Sequence, residues 1–392
     1  MTKIPEWWIE TTLGELADKI FSWWTPSTQH EEYYGWNIPR IRTQEVNFNY
    51  INETEIKITE EWLNNSSAKW IPQDTVIIAM YWNSAWRVAY SNIEATTNQA
   101  CCNFVWNKNS CDSKFVFFHL MNRYNEILWM ANWAAQQNLS VNVLKQLNMK
   151  VPPLPEQKAI AGVLSAFDDK IELLRTENQT LEEMGQTLFK EWFGKYKIWD
   201  ELPDWWRVGK LEEVWNQITE RVKNWADRVV LSAVNTWNLV LSEEYFSKQV
   251  FSEDIAKYII CNKWDFAYNP ARINIGSIWR NFYWNWAVSP VYVVFRPWEK
   301  FWKFLEFVFK SERFKKHVEK YANWSVRQAL NYDWFSRFEL LIPDNDILDK
   351  FNEKLTIFEN KIEANKKQIE KLSETRDQLL PKLMSWEVRV EF

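Results

Sequence analysis

Long apolar runs, paired cysteines and clustered histidines are all missing from this sequence. No stretch of 18 apolar residues occurs, and the start, MTKIPEWWIE, lacks the apolar segment of a signal peptide, so we expect a soluble cytoplasmic protein. The four cysteines (Cys101, Cys102, Cys111 and Cys261) are too few for a disulfide framework, and we expect reduced, buried thiols. The three histidines lack the spacing of zinc ligands, so no metal site is predicted.

Glycine is also scarce, whereas tryptophan is abundant. The 392 residues include 7 glycines and 28 tryptophans, although soluble proteins contain about 7% glycine. Several tryptophans stand in turn contexts, where a positive φ favours glycine over a bulky side chain. They are Trp23, Trp24, Trp133, Trp237, Trp324 and Trp334. We hypothesise that the gene uses UGA for glycine and was translated here with UGA as tryptophan; the alternative is a genuinely tryptophan-rich surface, which UGG codons at these positions would establish.

The chain repeats itself. Three landmarks recur in the same order at nearly constant offsets of 198 and then 191 residues. They are PEWW at 5–8 and PDWW at 203–206, ANW at 131–133 and 322–324, and FDDKIE at 167–172 and FENKIE at 358–363. Such agreement indicates a tandem duplication of one unit.

Each repeat combines a mixed part with a long helix. Short β-rich runs such as TVIIAM at 75–80 and AVSPVYVVF at 287–295 alternate with turn residues, and helical stretches are predicted near 114–131 and 301–322. The predicted fold class is therefore α+β, with two tandem α/β domains that are separated and followed by long helices.

Apolar residues recur along both long helices with the 4,3 spacing that is typical of a coiled-coil seam. The seam positions are Ile160, Leu164, Phe167, Ile171, Leu174, Asn178, Leu181, Leu188, Phe351, Leu355, Phe358, Ile362, Asn365, Ile369, Leu372, Leu379 and Leu383. An apolar stripe usually faces its own domain's core, but a helix of about 35 residues spans roughly 50 Å, more than one such domain covers. We expect the helices to pair antiparallel within one chain, with Asn178 and Asn365 helping to set the register; pairing between two chains is the alternative.

Four motifs occur in order along the first repeat. They are WTPS at 24–27, EYYGWNIP at 32–39, TNQA at 97–100 and PPLPEQKAIA at 152–161. Together they resemble the specificity subunits of Type I restriction–modification enzymes, and the resemblance covers both repeats and both helices. The family pattern has glycine where Trp24, Trp36, Trp133 and Trp386 stand, which agrees with the UGA hypothesis. In the second repeat the proline-rich motif is reduced to IPDN at 342–345, and no TNQA element is evident.

The resemblance implies four segments with separate tasks. Residues 1–152 would be a first target recognition domain, 153–197 a helical spacer, 198–343 a second recognition domain and 344–392 a second spacer. Each domain would read one part of a bipartite site in double-stranded DNA, and the helices would set the distance between the half-sites. The implied partners are two DNA adenine methyltransferase subunits and motor or endonuclease subunits. S-adenosylmethionine, ATP and Mg would be bound by those partners, and this chain would bind no cofactor.

The sequence contains no motif that would make the chain catalytic. A methyltransferase needs an Asn/Asp-Pro-Pro-Tyr/Phe loop, and the nearest string, NPAR at 269–272, lacks the second proline and the aromatic residue. No phosphate-binding Gly-x-x-x-x-Gly-Lys-Ser/Thr loop occurs. The EIK triplet at 55–57 has a spacing found in nucleases but no evident acidic partner. We predict a non-catalytic subunit; the alternatives are a structural protein with two globular heads on a coiled coil and a stand-alone methyltransferase.

The net charge of −5 means that affinity for DNA must come from local basic surface or from partner subunits. Arginine can contact guanine, whereas asparagine and glutamine can contact adenine. The candidate DNA-binding residues are Arg40, Arg42, Gln44, Lys57, Asn83, Arg87, Asn98, Gln99, Arg221, Lys223, Arg228, Lys263, Arg272, Asn274 and Arg280. For each of them, an ordinary surface or turn role is the alternative.

Overall fold

The chain folds into two compact units in a computed structural model. The structure describes residues 5–23, 34–81, 85–133, 140–222, 229–233, 239–241, 255–273, 277–282, 286–322, 330 and 332–391. Unit 1 consists of residues 1–175 and 366–392, and unit 2 of residues 176–365. Compared with the four predicted segments, each unit therefore takes one globular part together with portions of both long helices.

A mixed sheet forms the centre of unit 1. The strands of this unit are β1 (Ile9–Thr12), β2 (Ala17–Phe21), β3 (Tyr34–Ile41), β4 (Asn49–Ile51), β5 (Ile56–Ile58), β6 (Thr75–Ala79), β7 (Val88–Ser91), β8 (Thr96–Thr97), β9 (Cys101–Trp106) and β10 (Asn148–Val151). The central sheet has the order β2-β9-β6-β7-β4, a smaller sheet has the order β5-β3-β8, and β1 pairs with β10. Strand β6 is the TVIIA run, and all its residues are buried because it lies inside the sheet and is covered on both faces.

Helices cover this sheet and lead out of it. They are α1 (Leu13–Leu16), α2 (Glu60–Asn64), α3 (Ser113–Asn122), α4 (Tyr124–Trp133), α5 (Val141–Lys145) and α6 (Leu154–Phe189), of which residues up to 175 belong to unit 1. The Asp112 carboxylate caps α3 by accepting the N–H of Phe115 at 2.9 Å, as acidic N-caps commonly do. The helix predicted near 114–131 is two helices, because the chain turns at Arg123, whose guanidinium binds Glu126 and the Asn148 carbonyl.

Unit 2 repeats the sheet topology of unit 1. Its strands are β11 (Arg207–Lys210), β12 (Trp215–Ile218), β13 (Val229–Ala233), β14 (Leu239–Leu241), β15 (Ile259–Cys261), β16 (Phe266–Tyr268), β17 (Ile278–Arg280), β18 (Trp286–Val288), β19 (Val293–Pro297) and β20 (Glu339–Ile342). The order β12-β19-β16-β17 corresponds to β2-β9-β6-β7, and the pair β11-β20 corresponds to β1-β10. The sequence repeat is therefore a repeat of structure.

The helices of unit 2 pack on its sheets and end in the second long helix. They are α7 (Trp302–Lys310), α8 (Glu312–Ala322), α9 (Tyr332–Ser336) and α10 (Asn345–Met384), of which residues up to 365 belong to unit 2. The predicted stretch 301–322 is divided at Ser311, whose backbone is extended. The AVSPVYVVF run is also divided, into β18 and β19, because Pro290 lacks the N–H that a continuous strand would donate.

Several tryptophans adopt the left-handed backbone conformation that favours glycine. Trp86, Trp205, Trp264 and Trp386 have φ values of 70°, 69°, 75° and 62°, at which a side chain costs roughly 1–2 kcal/mol. Of the turn positions singled out in the sequence, Trp24, Trp237 and Trp324 lie outside the described residues, whereas Trp133 and Trp334 lie in helices.

The end of α10 shows most clearly why glycine is expected. The N–H of Trp386 donates to the Leu383 carbonyl at 3.3 Å, and the N–H of Glu387 donates to the Lys382 carbonyl at 2.8 Å. This pair of hydrogen bonds defines a Schellman motif, whose left-handed residue, here Trp386, is usually glycine. The backbone thus favours the hypothesis that some tryptophans stand for UGA-encoded glycine.

Candidate nucleic-acid interface and helix pair

In unit 1 the first part of α6 packs beside the last part of α10. Ile160 and Leu164 share one buried core with Leu380 and Leu383, and residues of α3 and β6 belong to the same core. The Asp168 carboxylate of α6 binds the Arg376 guanidinium of α10 at 2.5 Å. The apolar stripe therefore contacts both the other helix and the globular part of its own unit.

In unit 2 the remaining parts of the two helices run antiparallel. The Asn365 amide donates to Oδ1 of Asn178 and to Oε2 of Glu177, both at 2.9 Å. About two turns further along α6 and almost three turns back along α10, Gly185 lies against Leu355, whose Cδ2 would be 3.4 Å from a Cβ at the glycine. Residue numbers thus rise on one helix as they fall on the other, and the two predicted register residues contact each other.

The predicted seam residues are all at least partly covered. Buried among them are Ile160, Leu164, Ile171, Leu174, Phe351, Leu355, Asn365 and Leu383. Half-buried are Phe167, Asn178, Leu181, Leu188, Phe358, Ile362, Ile369, Leu372 and Leu379. In unit 2, Lys361 of α10 also forms an ion pair with Glu177 of α6 at 3.3 Å.

The PPLPEQ motif anchors the start of α6 through Gln157, which is 1% exposed. Its amide nitrogen donates to the carbonyls of Ser110 (3.1 Å) and Pro152 (2.9 Å), and its oxygen accepts the N–H of Asp112 (2.9 Å). Every polar atom of this buried side chain is therefore partnered, as burial requires. The motif joins the first turn of the helix to the loop before α3.

The basic candidates of unit 1 differ in accessibility. Lys57 and Gln44 are exposed, and Arg42, half-buried, binds Glu55 and lies 3.6 Å from Glu45. Arg87 is half-buried and donates to the Asn47 side chain at 3.0 Å. Arg40 is 5% exposed, with its guanidinium 4.7 Å from the ring centre of Trp62. Because Arg40 is packed inside the fold, its side chain offers DNA little surface.

The TNQA motif forms a turn between β8 and β9. Asn98 donates its N–H to the Ile41 carbonyl at 3.0 Å and accepts the N–H of Cys101 at 3.1 Å. The turn is held from below by Asn103, which donates to the buried Thr97 hydroxyl at 2.8 Å. Asn98 is half-buried, with its Oδ1 enclosed, and Gln99 is exposed, so the motif presents the Gln99 amide on a fixed backbone.

In unit 2, Arg221 and Arg272 are exposed, and Lys263 is half-buried with Nζ 4.7 Å from the ring centre of Trp264. Arg280 is buried and binds Glu306 and Glu359, each at 3.1 Å. Like Arg40, Arg280 contacts other residues of the fold and offers DNA little surface. The remaining candidates lie outside the described residues: Asn83, Lys223, Arg228 and Asn274.

Sequence reasoning missed the charged pairs that hold unit 2 together. Asp265 is fully buried and binds Arg296 through two hydrogen bonds of 2.6 and 2.9 Å; this pair raises the pKa of the arginine. Lys303, also buried, binds Glu359 at 2.8 Å. The 191-residue offset of the repeat could have indicated Glu359, because it makes Glu359 the equivalent of Asp168.

Within the described ranges, no helix is long and apolar enough to cross a membrane. Over the same residues, no three side chains of the His, Cys, Asp or Glu types cluster as metal ligands would. The four cysteines are buried and unpaired, and burial raises the pKa of Cys102 and Cys111 to about 12.

Comparisons with known proteins agree with this architecture. A family model described as the Type I restriction modification DNA specificity domain matches residues 5–183. The Type I restriction enzyme MjaIX specificity subunit of Methanocaldococcus jannaschii is 28% identical over 99% of this chain and 95% of its own. The crystal structure of a Type-I restriction-modification S subunit from M. genitalium has a TM-score of 0.57 at 15% identity, over 96% of each chain. A chain from a structure of the type I R-M system has a TM-score of 0.51, also at 15% identity, over 99% of this chain and all of that one.

Proposed function

Because the chain belongs to the family of Type I restriction–modification specificity subunits, we propose that each of its globular domains reads one half of a bipartite DNA site. The observation that carries the proposal is the repeated sheet topology, β2-β9-β6-β7 in one domain and β12-β19-β16-β17 in the other. Two copies of one module with different surface side chains are suited to reading two short, different sequences at a set spacing.

The exposed polar side chains of each domain supply the DNA contacts. In unit 1 these are Lys57, Gln44 and Gln99; in unit 2 they are Arg221 and Arg272. Cations on the surface attract phosphate, and amides or arginines at base edges select sequence. The TNQA turn supports base reading best, because hydrogen bonds fix its backbone and hold the exposed Gln99 at a set position.

The long helices serve as the docking site for two adenine methyltransferase subunits, which motor or endonuclease subunits join for cleavage. Several apolar side chains on these helices are exposed although the helices are paired: Leu173 by 58%, Met184 by 47% and Ile357 by 62%. Met184 and Ile357 line the same open cavity, and exposed apolar side chains near one another are typical of surfaces that a partner protein covers.

The chain itself performs no chemistry in this proposal. Methyl transfer and its S-adenosylmethionine belong to the methyltransferase subunits, and ATP and Mg belong to the motor subunits. The absence of the methyltransferase loop and of the phosphate-binding loop from the sequence supports this division.

Mapping methylated adenines across the host genome tests the function. We expect deletion of this gene to abolish methylation of one bipartite motif, and a plasmid copy to restore it. The matched control is the same plasmid with an early stop codon. A bipartite motif that persists unchanged in the deletion strain would refute the proposal.

A further inference from the structure

The two repeats place a carboxylate at the same position of their long helices. Asp168 of α6 and Glu359 of α10 are separated by 191 residues, the offset that also relates Phe167 to Phe358 and Lys170 to Lys361. Both carboxylates lie on the edge of the apolar stripe, and each forms ion pairs within its own unit.

In unit 1, Asp168 joins α6 to α10 and lies near β4. Its side chain is 10% exposed and binds Arg376 of α10 at 2.5 Å. Burial, and after it the charge of the nearby Asp168 carboxylate, raises the pKa of the Tyr50 phenol in β4. Tyr50 in turn packs against Phe117 of α3, with ring centres 5.4 Å apart. One carboxylate thus lies where the two helices meet the central sheet.

In unit 2, Glu359 connects α10 to the globular domain through two cations. Its oxygens bind Arg280 of β17 at 3.1 Å and Lys303 of α7 at 2.8 Å, and the side chains of both cations are only 4% exposed. Glu306 binds Arg280 as well, at 3.1 Å. Lys310 also binds Glu306, at 2.8 Å. Loss of Glu359 would take from the buried Lys303 the carboxylate that it binds.

The cations come from different places in the two units although the carboxylate is shared. The position of α6 equivalent to Arg376 is Gly185, where a Cβ would lie 3.1 Å from Phe307. An arginine at this position would require the Phe307 side chain of α7 to move, and unit 2 instead supplies its cations from the globular part. Both repeats have a carboxylate at this position, although the cations that it binds differ. This agreement indicates that the carboxylate has a role other than packing.

We propose that Asp168 and Glu359 are positioning residues, which fix each recognition domain on the helix pair and thereby set the half-site spacing that the complex accepts. The proposal rests on the proposed function, because it assigns spacing to a reader of two half-sites. The Glu359 ion pairs join α10 to the globular part of unit 2, and the Asp168–Arg376 pair joins α6 to α10 in unit 1. Such largely buried ion pairs have a defined geometry, whereas apolar contacts alone permit sliding and rotation.

The test compares methylation of host plasmids that carry the native motif with plasmids whose spacer is one base pair shorter or longer. In cells with Asp168→Asn or Glu359→Gln, we expect the preference for the native spacing to fall by about tenfold, while the sequences of both half-sites stay the same. The matched controls are Asp169→Asn and Glu353→Gln, exposed carboxylates on the same helices, which should keep the native preference.

Variants that replace each acid by the other acid type test whether the negative charge is enough for the spacing preference. Asp168→Glu and Glu359→Asp keep the charge and should recover most of the spacing preference. The proposal is overturned if the neutral variants lower methylation equally at every spacing, which indicates a loss of folded protein, or if they leave the preference unchanged. The proposed function would fail separately, through a motif that survives deletion of the gene.

Discussion

The two long helices carry different residues at equivalent positions near their starts, Gln157 in α6 and Leu348 in α10. In unit 1 the buried Gln157 satisfies three backbone groups. In unit 2 the residue 191 positions later is Leu348, which is fully buried in an apolar core, and Asp344 holds the helix start by accepting the N–H of Ile347 at 3.0 Å. The residue at this position is buried in both units. It can be polar if all its polar atoms have hydrogen-bond partners, or it can be apolar.

The turns before the central strands of the two units share a backbone conformation but differ in residue type. Asp74, just before β6, has a φ of 69°, and Trp264, just before β16, has a φ of 75°. Both turns demand a left-handed residue, which aspartate tolerates and a bulky aromatic residue does not. The backbone requirement is common to both units, whereas the side chains differ, and glycine at Trp264 would meet it without strain.

Placing each unit's residue type at the equivalent position of the other unit should have the largest effect on stability. Gln157→Leu leaves the Asp112 N–H and two carbonyls without partners, and we expect it to lower the free energy of unfolding by about 3 kcal/mol. Leu348→Gln buries an amide without partners and should cost about as much. Urea unfolding measures both changes, and Gln378→Leu, at an exposed position of α10, is the control. Equal stability of Gln157→Leu and wild type would show that the hydrogen bonds are unimportant.

The buried His119 of α3 should make unit 1 sensitive to acid; in unit 2 the half-buried His317 of α8 also has a pKa that burial lowers. Burial lowers the pKa of His119 to about 3, from about 6.5 in an unfolded chain. Between these values the unfolded chain binds a proton that the folded chain does not, so stability falls as the pH falls below 6.5. We expect a loss of about 2 kcal/mol at pH 5 from this group.

Urea unfolding at pH 8 and pH 5 isolates this contribution. His119→Leu should be less sensitive to acid than wild type by that amount, because leucine takes up no proton in either state. A variant that loses as much stability as wild type between the two pH values would show that His119 is not the cause.

Replacing a left-handed tryptophan should have a smaller effect of opposite sign. Trp264→Gly removes backbone strain, and we expect a gain in stability of about 1 kcal/mol. Asp74→Gly should instead lower stability, because the Asp74 carboxylate accepts the Tyr90 hydroxyl at 2.7 Å and binds Lys108 at 3.1 Å. Trp62→Gly, which empties a fully buried site in α2, should also destabilise the protein. Intact mass and peptide sequencing of protein from the native host then show directly whether residue 264 is glycine.

The helices were predictable because their signals are local. The 4,3 spacing and the repeat offset identified the paired stripes, and Asn178 and Asn365 were expected at the contact where they lie. Burial of individual cations was not predictable in the same way. Lys57 and Arg280 look alike in sequence, but Arg280 is enclosed by Glu306 and Glu359, which are distant in the chain.

Replacing residues 198–343 with a second copy of residues 1–152 tests the central claim, that each domain reads its own half-site. Adenine methylation mapped in host cells expressing this chimera should show a motif built only from the half-site of the first domain, with the other half-site lost. A motif that keeps the second half-site, in a chimera that still directs methylation, would contradict the account.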